Sequence, residues 1–257
     1  MKNKLFVFAV IVVLTARAVF AQQPWGQGGW TLKPFDHKVF VENLGQFDTL
    51  INEHADIKFM AQIGDNLFVY FTTNGIIFKT IDFPKIDEDA VEDSAQALNK
   101  ANTPVYHYLN AHWINCNALL TVDGQLPKQS YYTYPTGATS SIQVRIYRQI
   151  TYHNLYPGID AQFTFPTDTT GFEYALIVHP GANLSQVKLD YSGSTGMVKD
   201  SSGNIEIQSA LGEIIDHAPN SYYQSGGNVS SFYNLNDTEE SFNVPFYDKT
   251  KTLVLDP

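Results

Sequence analysis

From Asp56 onward the chain is a succession of short apolar or alternating runs cut by Gly, Pro, Asn and Asp, a pattern that points to β-structure and little else. DIKFMAQI leads to a Gly64-Asp65-Asn66 turn, then LFVYFT, Asn74-Gly75 and IIFKTID. Asn-Gly between two apolar runs predicts a tight hairpin whose two central residues take positive φ. Both runs are apolar at almost every position, so strands covered on both faces are expected. Elsewhere the alternation is cleaner. SIQVRIY sets Ile142, Val144 and Ile146 against Gln143, Arg145 and Tyr147, and SQVKLDY sets Val187, Leu189 and Tyr191 against Gln186, Lys188 and Asp190. These read as half-buried strands with one wet face. GFEYALIV places Phe172, Tyr174, Leu176 and Val178 on one side, and GNIEIQSALGEIID gives two short strands around Ala210 to Gly212. SSFYNL, SFNVPFY and TLVLD supply the last strands. The expected fold is all-β, an antiparallel β-sandwich-like domain built as one unit or as two packed β lobes. No repeat of fixed period is visible, which argues against a propeller or solenoid within this chain.

The stretch YHNLYPGIDAQF, Tyr152 to Phe163, sets His153 and Asp160 on either side of Pro157-Gly158. With Pro157 at i+1 and Gly158 at i+2, Tyr156 to Ile159 reads as a type II turn inside a four-residue loop from Leu155 to Gly158. That register pairs Tyr152 with Ala161 and Ile150 with Phe163 on one face. His153 with Asp160, Thr151 with Gln162 and Gln149 with Thr164 fall on the other. Apolar meets apolar, so His153 and Asp160 are expected as a cross-strand pair on the wet face rather than an acid-base dyad. Arg148 opposite Phe165 is the misfit, where a bulge or fraying is expected.

The first residues, MKNKLFVFAVIVVLTARAVFAQQ, join Lys2 and Lys4 to an apolar run ending before Arg17, with Val19 and Ala21 at the small-residue positions of a cleavage site. This is a secretory signal peptide over residues 1–21, too short and too soon interrupted to span a bilayer. A Gly- and Trp-rich leader follows over 22–36, then the β-rich domain over 37–257. Removal of Lys2, Lys4 and Arg17 leaves 13 Lys and Arg (16 less three) against 26 Asp and Glu. A chain this acidic, without a basic cluster, excludes nucleic acid as a partner and leaves no membrane span after cleavage. Cys116 is the single cysteine, so no intrachain disulfide forms and the core alone must hold the domain.

Asp82 to Asn102 breaks the β pattern. It is rich in acidic residues, and Val91, Ala95 and Leu98 fall at i, i+4 and i+7, which predicts one short amphipathic helix on an acidic insertion. Calcium is the sharper alternative to a solvated acidic face, but the ligand order of an EF-hand loop is absent. No cofactor is otherwise expected. The histidines, His37, His54, His107, His112, His153, His179 and His217, are scattered, and no metal, nucleophile-elbow or phosphate-loop motif is present. Two carboxylates brought together by the fold would suffice for a glycosidase, a reading that sequence alone leaves open. YYTY and SYYQ offer aromatic rings for stacking on sugars or on another protein, with Tyr131, Tyr132 and Tyr134 as the candidate ligand-stacking residues. The plainer alternative is that half of these rings point into the core.

VFVENLGQFD, YFTTNGIIFKT, YHNLYPGIDAQF, GFEYALIVHPGANLSQVKLDYSGS, GNIEIQSALGEIIDHAPNSYYQ and FNVPFYDKTKTLVLDP, in that order, resemble the N-terminal domain that precedes SBBP-type (seven-bladed β-propeller) repeats in bacterial extracellular proteins. The resemblance runs from about Val39 to Pro257. It implies a secreted or cell-surface protein, often from Bacteroidota, with propeller repeats, PKD modules and gliding-motility-associated C-terminal domains downstream in the same polypeptide. It implies no activity and no catalytic residue. The expectation is a noncatalytic N-terminal module serving adhesion or assembly, with a carbohydrate-binding module as the alternative. Polysaccharide or another surface protein is the expected external partner. TLVLDP reads as a last strand closed by Asp-Pro, so the gene is expected to continue past Pro257.

Overall fold

The computed structural model describes residues 38–51, 56–83, 103–166 and 171–257. The signal peptide, the leader and the predicted helix of the acidic insertion lie outside the described residues. Within them the chain forms strands β1 (Phe40–Glu42), β2 (Ile57–Ile63), β3 (Leu67–Thr72), β4 (Gly75–Asp82), β5 (Val105–Trp113), β6 (Thr121–Pro135), β7 (Ser141–Tyr156), β8 (Ile159–Thr164) and β9 (Glu173–Val178). A single 3-10 turn, Leu184–Gln186, precedes β10 (Lys188–Ser192), β11 (Ser194–Lys199), β12 (Ile205–Ser209), β13 (Gly212–Asp216) and β14 (Asn220–Tyr223). The chain closes with β15 (Asn228–Val229), β16 (Phe232–Asn236), β17 (Glu239–Asn243) and β18 (Leu253–Asp256). The expected all-β, sandwich-like architecture is the observed one.

Fifteen strands make one antiparallel sheet, ordered β15-β14-β18-β9-β8-β7-β1-β2-β3-β4-β5-β10-β17-β16, with β6 on the flank of β7. The short β1 joins two arms, pairing with β2 on one side and β7 on the other. The arms face each other across a shared core. Phe71 of β3 meets Phe163 of β8 edge to face with ring centroids 5.2 Å apart, and Phe78 of β4 stacks near Phe172 at 6.3 Å. Leu109, Ile150, Tyr152, Leu176, Leu253 and Leu255 are fully buried in the same core. Burial of each such side chain stabilises by about 1.5–3 kcal/mol, which lets the fold stand without a disulfide. β11, β12 and β13 form a separate three-stranded sheet that sends Ile205 and Ile207 into this core.

A second, smaller core lies on the other side of the β2–β4 region, with Val41, Met60, Tyr70, Ile77, Val144 and Ile146 among its members. The apolar runs of β2 to β4 are therefore covered on both faces, as their composition predicts. The covering loop is shaped by Asn43, whose Oδ1 accepts from the backbone N–H groups of Gly45 and Phe47. That turn delivers Phe47 and Ile51 to the second core. Lys79 ties the same loop to β4 by donating to the Leu50 carbonyl, with its ammonium 4.3 Å from the centre of the Tyr106 ring.

Two turns differ from expectation. Thr72 pairs with Gly75, so the β3–β4 loop is Thr73-Asn74, and neither Asn74 nor Gly75 takes positive φ. Gly75 is required for another reason: a Cβ there would stand 2.2 Å from the Ala111 carbonyl oxygen on β5. The β7–β8 register holds from Gln149↔Thr164 to Tyr152↔Ala161 and stops before Arg148, as foreseen. The pairing then shifts to Tyr156↔Ile159. His153, Asn154 and Leu155 stand against Asp160 alone, in a bulge with Asn154 at φ 57°. The turn is accordingly the two residues Pro157-Gly158, with Gly158 at φ 74°. The bulge lets both Leu155 and Tyr156 bury and the Tyr156 hydroxyl donate to the Ile114 carbonyl at 2.8 Å, a gain the simple register forgoes.

Candidate functional site

An open concave surface lies where the 3-10 turn meets the loop between β17 and β18. It is an open groove of about 850 Å³, walled by Asn183, Asn234, Asn243, Tyr223, Phe246 and Tyr247 together with residues around them. Its shape follows from local chemistry. Asn183 caps the 3-10 turn, its Oδ1 accepting from the Ser185 N–H at 3.2 Å and the Ser185 hydroxyl at 2.8 Å. Pro245 follows β17 and ends its alternation, leaving Phe246 in a loop with 91% of its surface exposed. The loop is pinned by Tyr223, whose hydroxyl accepts from the Asp248 N–H at 2.6 Å while the Lys251 ammonium sits 5.0 Å from the ring centre. Flat rings beside side-chain amides can stack on, and hydrogen-bond to, an extended polar ligand.

A second site is enclosed. Asp216, at the end of β13, accepts from the Tyr174 hydroxyl at Oδ2 and the Tyr233 hydroxyl at Oδ1, each at 2.9 Å. The two phenol oxygens are themselves 3.4 Å apart. Behind them lies Glu240 of β17, fully buried, with neither carboxyl oxygen in ordinary hydrogen-bond geometry with a donor. Its neighbours are the Asp216 carboxyl and the Tyr191 hydroxyl. Burial, then the neighbouring Asp216 charge, holds the Glu240 carboxyl well above the usual carboxylate range. Burial likewise raises Asp216 to about 6, against the lowering pull of its two tyrosine donors. The Asp216 residue keeps some surface at its strand edge while its carboxyl group is enclosed. The Asp216 and Glu240 carboxyls are neighbours inside the fold, with the tyrosine hydroxyls around them.

Asp216 also lines a half-enclosed cavity of about 320 Å³ between the small sheet and the large one, whose walls include Ile76, Phe78, Trp113, Phe163 and Phe172. These carboxyls were legible in part. Asp216 shares a face with Ile214 in GEIID and Glu240 shares one with Phe242 in EESFN, so both sit at inward positions of alternating runs.

The proposed stacking residues divide between faces. Tyr132 and Tyr134 lie half-buried against the second core, with Tyr134 edge-on to Phe47 at 5.4 Å, while Tyr131 is exposed. Alternation along β6 sets Tyr131 on the face opposite the other two, so the three rings do not share one row. Of the SYYQ pair, Tyr223 reaches the open groove. His153 and Asp160 do not pair. His153 Nε2 is 3.5 Å from Asp123, whereas Asp160 accepts from the Asn154 N–H at 2.7 Å and lies 3.0 Å from His179 Nε2. Cys116 is partly buried against the main core and its thiol is pushed up by burial, as expected of a packing residue. Among the described residues no three His, Cys, Asp or Glu side chains converge to hold a metal ion, and the calcium candidate in the acidic insertion lies outside them. No helix among them is long and apolar enough to cross a membrane.

Residues 40–257 match a family described as a domain of unknown function, DUF7948. The chain belongs to the DUF7948 family. Its matched span begins with β1 and takes in every strand described above, so this sheet, its small companion and both candidate sites all fall inside the DUF7948 domain. No curated protein and no solved structure matches the chain.

Proposed function

We propose that this DUF7948 domain is a noncatalytic N-terminal module of a larger secreted or cell-surface protein, serving adhesion or assembly through the groove beside the β17–β18 loop. The observation that carries this reading is Phe246, a phenyl ring 91% exposed beside Tyr223, Tyr247 and three asparagine side chains. A large aromatic left in water at a pinned loop, inside a concave surface, fits a contact made with something outside the chain. The ordered resemblance to domains that precede SBBP-type repeats supports the location, and the signal-peptide pattern supports export. Polysaccharide is favoured over protein as the external partner by the mixture of rings and amides.

The test is binding of the purified chain to isolated bacterial cell envelopes, compared with Phe246→Ala and Tyr247→Ala. Because Phe246 makes so little of the core, its loss leaves the fold intact by circular dichroism while binding falls at least about tenfold, the size of a lost hot-spot ring. Binding by Phe246→Ala equal to the parent would refute the groove as the contact. Release of soluble sugar from the envelopes would replace the noncatalytic reading with a hydrolase.

A further inference from the structure

The cavity between the two sheets has a chemistry that neither the fold nor the groove requires. Its walls are mostly aliphatic and aromatic, supplied by β2 to β5, β8 to β10 and the small sheet, with Phe172 beside them. Native interiors are close-packed, so a space of about 320 Å³ is a cost the fold carries, and it falls at the lower end of the range for small-molecule pockets. Besides Glu213 at its rim, an exposed carboxylate that accepts from Gln208, two enclosed polar features lie at it. One is Asp216, the outer member of the carboxyl pair, with Tyr174 and Tyr191 beside it in the lining. The other is Trp113, 3% exposed, whose indole Nε1 is buried without a hydrogen-bond partner although the ring lines the cavity. A buried N–H left unpaired is costly, and donors of this kind normally meet an acceptor. Among the described residues no Lys or Arg lines the cavity, and the basic side chain that acts on Asp216 is the exposed His217.

We infer that this cavity is a binding site for a small apolar amine, its hydrocarbon or aryl body held by Phe78, Phe163 and Phe172 and its ammonium group donating to Asp216. A net negative carboxyl pair enclosed by apolar walls favours a monocation over a neutral or anionic ligand of equal size. The Trp113 N–H adds a preference for amines that carry one oxygen acceptor. This site is separate from the groove and stands whether or not the groove binds envelope.

The experiment is a thermal-shift and calorimetric titration of the whole chain at pH 7 with hexylamine, phenethylamine, hexanol and hexanoate. The amines are expected to raise the melting temperature saturably, with hexanol weaker and hexanoate inactive. Asp216→Asn should weaken the amines by about tenfold or more while leaving hexanol within about threefold, since a charge-assisted hydrogen bond is lost and the apolar walls remain. Ala111→Leu, which places bulk into the cavity without touching the carboxyls, should abolish binding of amine and alcohol alike, and it serves if Asp216→Asn fails to fold. The inference is overturned by no shift with any probe, by equal shifts for amine, alcohol and carboxylate, or by amine binding that survives Ala111→Leu.

Discussion

The Asp216–Glu240 pair should make the domain's stability fall as pH rises through neutrality, for reasons that lie in its surroundings. Both carboxyls are raised in the folded state, chiefly by burial, Asp216 from 3.8 to about 6 and Glu240 well above 4.5. A carboxyl whose folded pKa exceeds its unfolded one contributes stability that is fully present below the unfolded value and is lost as pH rises through the folded value. For Asp216 the window therefore opens near pH 4 and extends past pH 6, and Glu240 carries the loss to higher pH. At about 1.4 kcal/mol per pKa unit, Asp216 alone represents roughly 3 kcal/mol across that window. Asp200 and the exposed Asp248 are shifted the opposite way, so their contribution changes only at more acid pH and does not mask the effect. Urea unfolding at pH 5 and pH 8 is the assay. The parent chain should show a lower midpoint at pH 8, and Glu240→Gln should shrink the difference by removing the Glu240 contribution while the burial of Asp216 keeps the remainder. A midpoint that is unchanged or higher at pH 8, or a pH difference in Glu240→Gln as large as the parent's, would refute the reasoning.

Other substitutions separate core, turn and surface. Phe163→Ala empties a fully buried site ringed by Phe71, Tyr152, Phe172 and Tyr174 and should cost about 3–5 kcal/mol in chemical denaturation. Gly75→Ala should be comparably severe, because its Cβ would press on the Ala111 carbonyl of a paired strand; a midpoint within experimental scatter of the parent would contradict that close approach. His153→Ala should cost less than about 1 kcal/mol, since its side chain is 41% exposed and its contact with Asp123 is long. Asp160→Ala should cost more than His153→Ala in the same assay, because it strips the acceptor from the Asn154 N–H that holds the bulge.

Apolar runs and alternation between turn residues carried most of the fold. β2, β3 and β4 lie within a residue or two of the continuous apolar runs that predict them, β12 and β13 likewise of their shorter runs, while the 3-10 turn Leu184–Gln186 takes the first residues of the run that predicts β10. β6 was not legible: Gly124, Pro127 and Lys128 break any apolar alternation, and the strand accommodates them as an edge, with Leu126 at φ 52° and a register shift between Pro127 and Tyr131. The β7–β8 hairpin was legible up to Tyr152, beyond which burial of Tyr156 outweighs the simpler register. The carboxyl cluster draws on β9, β10, β13, β16 and β17, and the groove joins residues some sixty positions apart, Asn183 and Phe246. Such meetings are set by sheet order, which no local pattern encodes.

Amide hydrogen exchange of the whole chain with and without solubilised envelope polysaccharide tests the proposed contact most directly. Protection is expected at Val244 to Lys249 and Asn183 to Ser185, with none along Thr121 to Pro135. Protection confined to β6 around Tyr131, or absent everywhere while envelope binding persists, would contradict the groove as the domain's working surface.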